Sequence, residues 1–138
     1  CLEKTDCCAA VVAANSSCYR AQCYATTRAL TAALELPDSK VEVAFQSRLG
    51  RTPWIQPFTD VRLEALPSEG VKRLVVAVPS FTADCLETVE EIGMRGREAF
   101  LAAGGEELRL VPCLNAEDSW VEGILEIVAE ETQLAGTQ

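Results

Sequence analysis

The alternation of apolar and polar residues predicts short strands and helices that follow one another along most of the chain. Three short apolar runs are typical of strands, at residues 41–45, 72–78 and 107–111. Helical periodicity and capping signals predict four helices, at residues 19–35, 59–66, 84–103 and 117–131. Because the strands alternate with helices, the predicted fold class is α/β, a parallel sheet of about three strands with helices on both faces.

The same pattern predicts which positions lie in the core. The run from Leu74 to Val78 is continuously apolar, which is typical of a strand covered on both faces. The first and last predicted helices each carry an apolar stripe, and we expect both stripes to be buried. The stripe of the first helix contains Tyr19, Cys23, Thr26, Leu30, Ala33 and Leu34, and that of the last contains Trp120, Ile124, Ile127 and Val128. Gly93 and Gly96 lie inside the third predicted helix, where they are explained by a bulge, by close packing of another segment, or by a break in the helix.

Composition narrows the possible partners. The chain has 138 residues, enough for one domain with a core, and 21 acidic against 12 basic residues give a net charge of −9. This balance argues against a nucleic-acid partner and against electrostatic docking on an anionic membrane. No apolar run approaches the length of a transmembrane segment, and no signal-peptide pattern is present.

Polar and aromatic residues follow the predicted strands at their carboxyl ends. Ser47, Arg48 and Trp54 follow the first strand, and Asp84 follows the second. In open parallel sheets, ligands bind at this edge. We therefore expect the loops after the strands to form a binding site.

Three acids at this edge have spacings that suggest proton or cation chemistry. Asp84, Glu87 and Glu91 are three and four residues apart, so we expect them on one helical face. Like charges this close raise the average proton affinity, whereas the helix N-terminus opposes that shift. Acids in a first turn also stabilise a helix, and spacing alone favours this simpler explanation. The chain contains no histidine, which excludes a Ser-His-Asp mechanism.

Cysteines are concentrated near the start of the chain. Five of the seven cysteines fall within the first 23 residues, and residues 1–18 read as a cysteine-rich metal or cluster loop. Since no secretory signal is present, a metal site is favoured over a small disulfide-linked domain.

Five motifs in this sequence resemble the ferrochelatase family. They occur in the order and spacing of that family, and together with residues 19–30 they cover almost the whole chain. The motifs are Phe45–Gly50, Pro53–Ile55, Pro57–Asp60, Phe81–Ile92 and Pro112–Asn115.

The resemblance implies an enzyme of haem biosynthesis that inserts ferrous iron into protoporphyrin IX and releases two protons. It implies a chelatase-like, Rossmann-like fold. By resemblance, Glu87 is the key active-site glutamate, and Asp84 and Glu91 join it on an acidic path for protons or metal. Trp54 packs near the porphyrin cleft, which Ser47 and Arg48 border.

Two departures from the family qualify this expectation. The Ser-x-His-Gly-like motif that carries the family's catalytic histidine is absent, and so is the family's N-terminal domain. Residues 19–138 therefore resemble a C-terminal chelatase-like domain that is inactive alone and whose partner is the missing N-terminal half. Cys85 stands where many relatives have histidine. The expected location is cytoplasmic, peripheral to the membrane.

The cysteine-rich start is similar to an internal segment of some bacterial ferrochelatases that binds a [2Fe-2S] cluster. This likeness implies four ligands, Cys1, Cys7, Cys8 and Cys18, with Cys23 as a substitute. A zinc site fits the ligand count nearly as well. The alternative function is a non-catalytic iron-sulfur or zinc binding module. The sequence does not decide whether the substrate is protoporphyrin or coproporphyrin, and it does not give the oligomeric state.

Overall fold

Helices and strands alternate along the chain, as the sequence predicts. The computed structural model describes residues 6–47, 50–51 and 53–135. Their main elements are α1 Tyr19–Ala33, α2 Thr59–Ala65, β1 Arg73–Val76, a π-helix Glu87–Gly96, α3 Arg97–Ala102, β2 Glu107–Leu110 and α4 Asp118–Ala135. Two single-turn 3₁₀ helices are also present, Ala13–Asn15 and Asp38–Lys40. Each predicted helix therefore exists within a few residues of its expected position.

The sheet is parallel, which confirms the predicted α/β class. β1 pairs with β2 in a register that sets Arg73 opposite Glu107 and Val76 opposite Leu110. Among the described residues the sheet has two strands rather than about three. Residues 41–45 are extended but form a single bridge, because Phe45 exchanges backbone hydrogen bonds with residues 57 and 59 at 2.8 and 2.9 Å.

The third predicted helix begins as a π-helix and continues as α3. At the junction, the Arg97 N–H donates to the Ile92 carbonyl five residues earlier, the spacing of a π-helix. A Cβ atom at Gly96 would lie 2.9 Å from Leu63 Cδ1, so a larger residue here would require the Leu63 side chain to shift. The π-helix and this contact confirm two of the explanations predicted for the helix glycines, a bulge and close packing of another segment.

The core lies between α2, α3 and the sheet. Phe100 is fully buried and packs with Leu63 and Leu108. Four partly buried side chains surround this cluster, from Leu66, Leu74, Val76 and Leu101. The core therefore fixes α2, α3, β1 and β2 as one unit.

Three burial predictions are wrong. In β1 the Val75 side chain is 66% exposed, so this strand is not covered on both faces. On α4, Ile127 and Val128 are 57% and 53% exposed rather than buried. On α1, Leu30 and Tyr19 are also exposed. Helical periodicity identifies an apolar side but not what covers it. None of the helices in the described ranges is long and apolar enough to cross a membrane.

Candidate functional site

A cavity of about 490 Å³ lies between α1, the extended segment 42–47 and the residues after β1. Its size falls within the range of roughly 300–1,000 Å³ that is common for small-molecule sites. Most of its wall is apolar or aromatic, with a few polar side chains among them. The lining residues include Tyr19, Cys23, Val43, Phe45, Gln46, Ser47, Trp54, Ile55, Val78, Ser80 and Phe81. This composition suits a flat, largely apolar ligand with a few polar contacts.

Two aromatic rings and a hydrogen bond between two hydroxyl groups hold the wall of this cavity in place. The Tyr19 and Phe45 ring centroids are 6.4 Å apart in a tilted arrangement. The Tyr19 hydroxyl donates to Ser80 Oγ at 3.1 Å, which joins α1 to the segment after β1. Tyr19 and Cys23 belong to the stripe that the sequence assigned to the core. The structure corrects that assignment, because both residues face the cavity.

Trp54 is linked to the start of the π-helix through one glutamine. The Trp54 indole Nε1–H donates to the Gln46 carbonyl at 2.9 Å. The Gln46 side-chain amide in turn donates through Nε2 to the Glu87 carbonyl at 2.7 Å. Gln46 therefore sets the distance between the Trp54 indole and Glu87, the residue expected to be the key active-site glutamate.

Ser47 and Glu91 form a second link between the same loop and the π-helix. The Ser47 backbone N–H donates to Glu91 Oε1 at 3.0 Å, and Ser47 Oγ donates to Oε2 at 3.1 Å. Ser47 has a φ of 61°, in the left-handed region that non-glycine residues seldom occupy. Both carboxylate oxygens of Glu91 thus have a partner on the loop that borders the cavity.

Asp84 ties the segment before the π-helix to the loop after β2. Its carboxylate accepts hydrogen bonds from Asn115 Nδ2 at 2.8 Å and from the Cys113 N–H at 3.2 Å. Its own N–H donates to Asn115 Oδ1 at 2.9 Å. The two loops at the carboxyl ends of β1 and β2 therefore meet at Asp84, as the parallel topology predicts.

Asp84 and Glu87 are stabilised in their ionised forms, contrary to the expectation from the spacing of the acids. Hydrogen bonds from Asn115 and then from the Cys113 backbone lower the pKa of Asp84 below its usual 3.8. A hydrogen bond from the Cys85 side chain, and then the Glu87 backbone, lower the pKa of Glu87 below its usual 4.5. These donors favour the charged forms, and they outweigh the like-charge effect expected from sequence. Both carboxylates are therefore available as proton acceptors at neutral pH.

The structure brings most of the predicted site residues close together. Ser47 and Trp54 line the cavity, and Glu87 and Glu91 contact the loop that contains Ser47. The three predicted acids do not line the cavity themselves. Arg48, the other predicted substrate-binding residue, lies outside the described residues. The catalytic and binding roles of all these residues remain predictions.

Sequence reasoning assigned no role to Gln46. The sequence placed it in the first of the three predicted loops, but nothing in its spacing connects it to Trp54 or to Glu87. The contact to Glu87 joins residues 41 apart in sequence, and it exists only after the sheet has brought two loops together. A glutamine directly before the predicted Ser47 was the single available hint.

Comparison with known proteins gives the family. The model of the ferrochelatase family matches residues 8–132. This chain belongs to the ferrochelatase family. A ferrochelatase of Pseudomonas putida is 55% identical over 121 residues, which is 87% of this chain and 36% of that protein. One of Pseudomonas fluorescens is 58% identical over 116 residues, 83% of this chain and 34% of that protein. One of Stutzerimonas stutzeri is 48% identical over 134 residues, 96% of this chain and 39% of that protein.

The chain spans between a third and two fifths of the length of these ferrochelatases. The matched part contains the whole cavity edge, from Tyr19 to Asn115. The family and the chelatase-like α/β fold are therefore established for this chain. That this chain takes part in the activity of a whole ferrochelatase is a proposal.

The cysteine-rich segment of this ferrochelatase-family chain is anchored on α1. Cys8 is buried, and its Sγ accepts a hydrogen bond from Arg20 Nη1 at 2.9 Å. The Cys8 carbonyl accepts another from Arg28 Nη1 at 3.0 Å. Asn15 Nδ2 donates to the Cys7 carbonyl at 2.6 Å. Arginine and asparagine side chains therefore hold this loop in place.

The described cysteines do not form a cluster site. Cys7 Sγ and Cys8 Sγ are 3.9 Å apart, and Cys8 Sγ is already bound by an arginine. Within residues 6–47, 50–51 and 53–135, no three His, Cys, Asp or Glu side chains are placed to hold a metal ion. Cys1, another of the four expected ligands, lies outside the described residues. The described residues therefore give no support to the expected [2Fe-2S] site.

Proposed function

We propose that this chain is the C-terminal part of a ferrochelatase that inserts ferrous iron into protoporphyrin IX. The observation that carries the proposal is the hydrogen-bonded link from Trp54, at the cavity, through Gln46 to the Glu87 backbone. Membership of the ferrochelatase family supports the reaction, and the apolar, aromatic cavity supports a flat tetrapyrrole as the ligand.

In this proposal the porphyrin stacks against Trp54, and Glu87 takes protons from its pyrrole nitrogens. Insertion of Fe²⁺ replaces two N–H protons, so the reaction needs an ionised acceptor close to the ring. Glu87 is an ionised carboxylate at neutral pH and can accept a proton, and its lowered pKa makes it a weaker base than an ordinary glutamate. Asp84, also held ionised, adds negative charge three residues away, which favours the approach of a cation.

We further propose that the 138-residue chain alone does not insert iron. The chain matches only 34–39% of the length of its relatives, and it has no histidine to supplement Glu87. Its partner in this proposal is the remainder of the enzyme, since the relatives are about two and a half times as long as this chain. An anaerobic assay with Fe²⁺ and protoporphyrin IX tests this. No haem should form with the chain alone, and turnover at the rate of a full-length relative would contradict it.

Binding without turnover tests the ligand assignment separately. Trp54 and Trp120 are the two tryptophans, so a Trp120→Phe background leaves Trp54 as the sole indole reporter. Protoporphyrin IX should quench Trp54 emission in a saturable way. A Trp54→Phe variant that keeps Trp120 is the matched control, and it should show weaker binding and little quenching. Equal quenching of both single-tryptophan proteins would place the porphyrin elsewhere.

The [2Fe-2S] cluster remains an expectation from the resemblance, and the described cysteine positions give it no support. The alternative, a non-catalytic iron-sulfur or zinc binding module, depends on the same cysteines, of which Cys1 lies outside the described residues. Visible absorption and acid-labile sulfide in anaerobically purified protein would support the cluster, and the absence of both would contradict it. A cytoplasmic location peripheral to the membrane is likewise proposed from the resemblance alone.

A further inference from the structure

Glu91 is the one predicted acid whose carboxylate contacts the loop at the cavity. Its two oxygens accept separate hydrogen bonds from the N–H and the Oγ of Ser47, at 3.0 and 3.1 Å. Because both carboxylate oxygens are bound, the contact is bidentate, and it fixes the direction of the loop as well as its distance from the π-helix. The left-handed φ of Ser47 turns the backbone N–H of this residue toward the helix.

Gln46, the residue that precedes Ser47, extends this restraint to the cavity. Gln46 is covalently joined to Ser47, its carbonyl accepts the Trp54 indole, and its side chain donates to the Glu87 carbonyl. Displacement of Ser47 would therefore move the acceptor of Trp54 and a donor to Glu87 together. A carboxylate bound by Ser47 thus restrains both Trp54, which lines the cavity, and the backbone of Glu87.

We propose that Glu91 is a positioning residue, which holds the Gln46–Ser47 loop so that Trp54 and Glu87 keep a fixed separation. The effect on porphyrin binding rests on the proposed function, whereas the effect on the loop does not. Both oxygens of Glu91 accept a hydrogen bond from Ser47, so loss of this side chain would release the loop.

Two substitutions at one position separate the geometry of the Glu91 side chain from its charge. In Glu91→Gln, the amide oxygen can accept the Ser47 N–H and the amide nitrogen can donate to Ser47 Oγ, but the side chain cannot titrate. In Glu91→Ala, both hydrogen bonds are lost. Glu90→Ala is the matched control, since Glu90 pairs with exposed Arg95 and not with the loop.

The readouts are Trp54 emission in the Trp120→Phe background and the Kd for protoporphyrin IX. We expect Glu91→Gln and Glu90→Ala to keep the emission maximum and a Kd within about twofold, because the loop contacts survive. Glu91→Ala should shift Trp54 emission to longer wavelength and weaken binding by about tenfold, as loss of charge-assisted hydrogen bonds predicts. Ser47→Ala, which removes one of the two hydrogen bonds, should fall between them and serves if Glu91→Ala does not fold.

The outcomes distinguish this inference from the proposed function. If the parent protein binds no porphyrin, the ligand assignment fails, but the emission of the variants still decides whether Glu91 positions the loop. If Glu91→Gln shifts Trp54 emission as far as Glu91→Ala does, the charge and not the geometry matters, and the positioning role is overturned. Unchanged emission in both Glu91→Ala and Ser47→Ala would overturn it as well.

Discussion

Thr88 is the residue on which the first turn of the π-helix depends most. It is fully buried, and its Oγ1 accepts the Cys85 N–H at 3.0 Å and lies 3.1 Å from the Cys85 carbonyl. The same oxygen lies 3.4 Å from Asp84 Oδ1. One hydroxyl therefore satisfies the backbone where the π-helix begins, next to Glu87.

Two conservative substitutions isolate this hydroxyl. Thr88→Val keeps the volume but leaves the Cys85 N–H without its partner, which costs about 1–3 kcal/mol for a buried donor. We take about 2 kcal/mol, because Cys85 is half-buried. Thr88→Ser keeps the hydroxyl and loses one methyl group, worth about 1 kcal/mol. The valine variant should therefore be the less stable of the two by about 1 kcal/mol.

Urea denaturation followed by far-UV circular dichroism measures this difference. With a slope of about 1–3 kcal/mol per molar urea, the midpoint of Thr88→Val should fall by roughly 1 M relative to the parent. Thr88→Ser should lie between the two. If the valine variant is as stable as the parent, or more stable than the serine variant, the hydroxyl does not anchor this turn.

Three further predictions concern the frame around the site. Because the pKa of Asp84 is lowered in the folded protein, the ionised Asp84 carboxylate stabilises the fold fully above pH 3.8, and this contribution is lost as the pH falls through the lowered value. Asn115→Ala removes the main donor to Asp84, so melting measured as a function of pH should show a smaller loss of stability in acid. Phe100→Ala should lower the free energy of unfolding by about 3–5 kcal/mol, measured in urea. Lys72 donates to carbonyls that follow α2 and α3, so Lys72→Met should cost about 1 kcal/mol in the same assay, and a neutral result would contradict this.

Local patterns were enough to predict the elements and their order. The helix Tyr19–Ala33 and the strand Arg73–Val76 lie where periodicity, capping and breaker residues placed them. The parallel pairing of the strands follows from their alternation with helices. These patterns report the conformational preferences of residues close in sequence, and these preferences govern where a helix or strand begins and ends.

Long-range contacts decided what the sequence could not predict. The apolar stripe of α1 lines a cavity rather than a core, because the facing wall comes from residues 42–47 and 77–81. The pKa of Asp84 is lowered rather than raised, because Asn115 approaches from the loop after β2. Gln46 gained its role in the same way. Spacing along one helix contains no information about donors that arrive from another loop.

The predicted cysteine site shows the limit of ligand counting. Four thiols near the start of the chain suggested a cluster, but among the described residues no three metal-ligating side chains are placed to hold an ion. Counting ligand types does not establish whether their side chains converge. Here the Arg20 side chain donates a hydrogen bond to Cys8 Sγ, one of the expected ligands.

The central claim is that the cavity beside Trp54 holds a flat tetrapyrrole at the edge where Glu87 lies. A crystal structure of this chain with metal-free protoporphyrin IX bound measures that most directly. The account predicts that the macrocycle lies in the cavity between Trp54 and Tyr19, with the Glu87 carboxylate closest to the pyrrole nitrogens among the acids. A macrocycle bound on the exposed apolar side of α4, with the cavity empty, would contradict it.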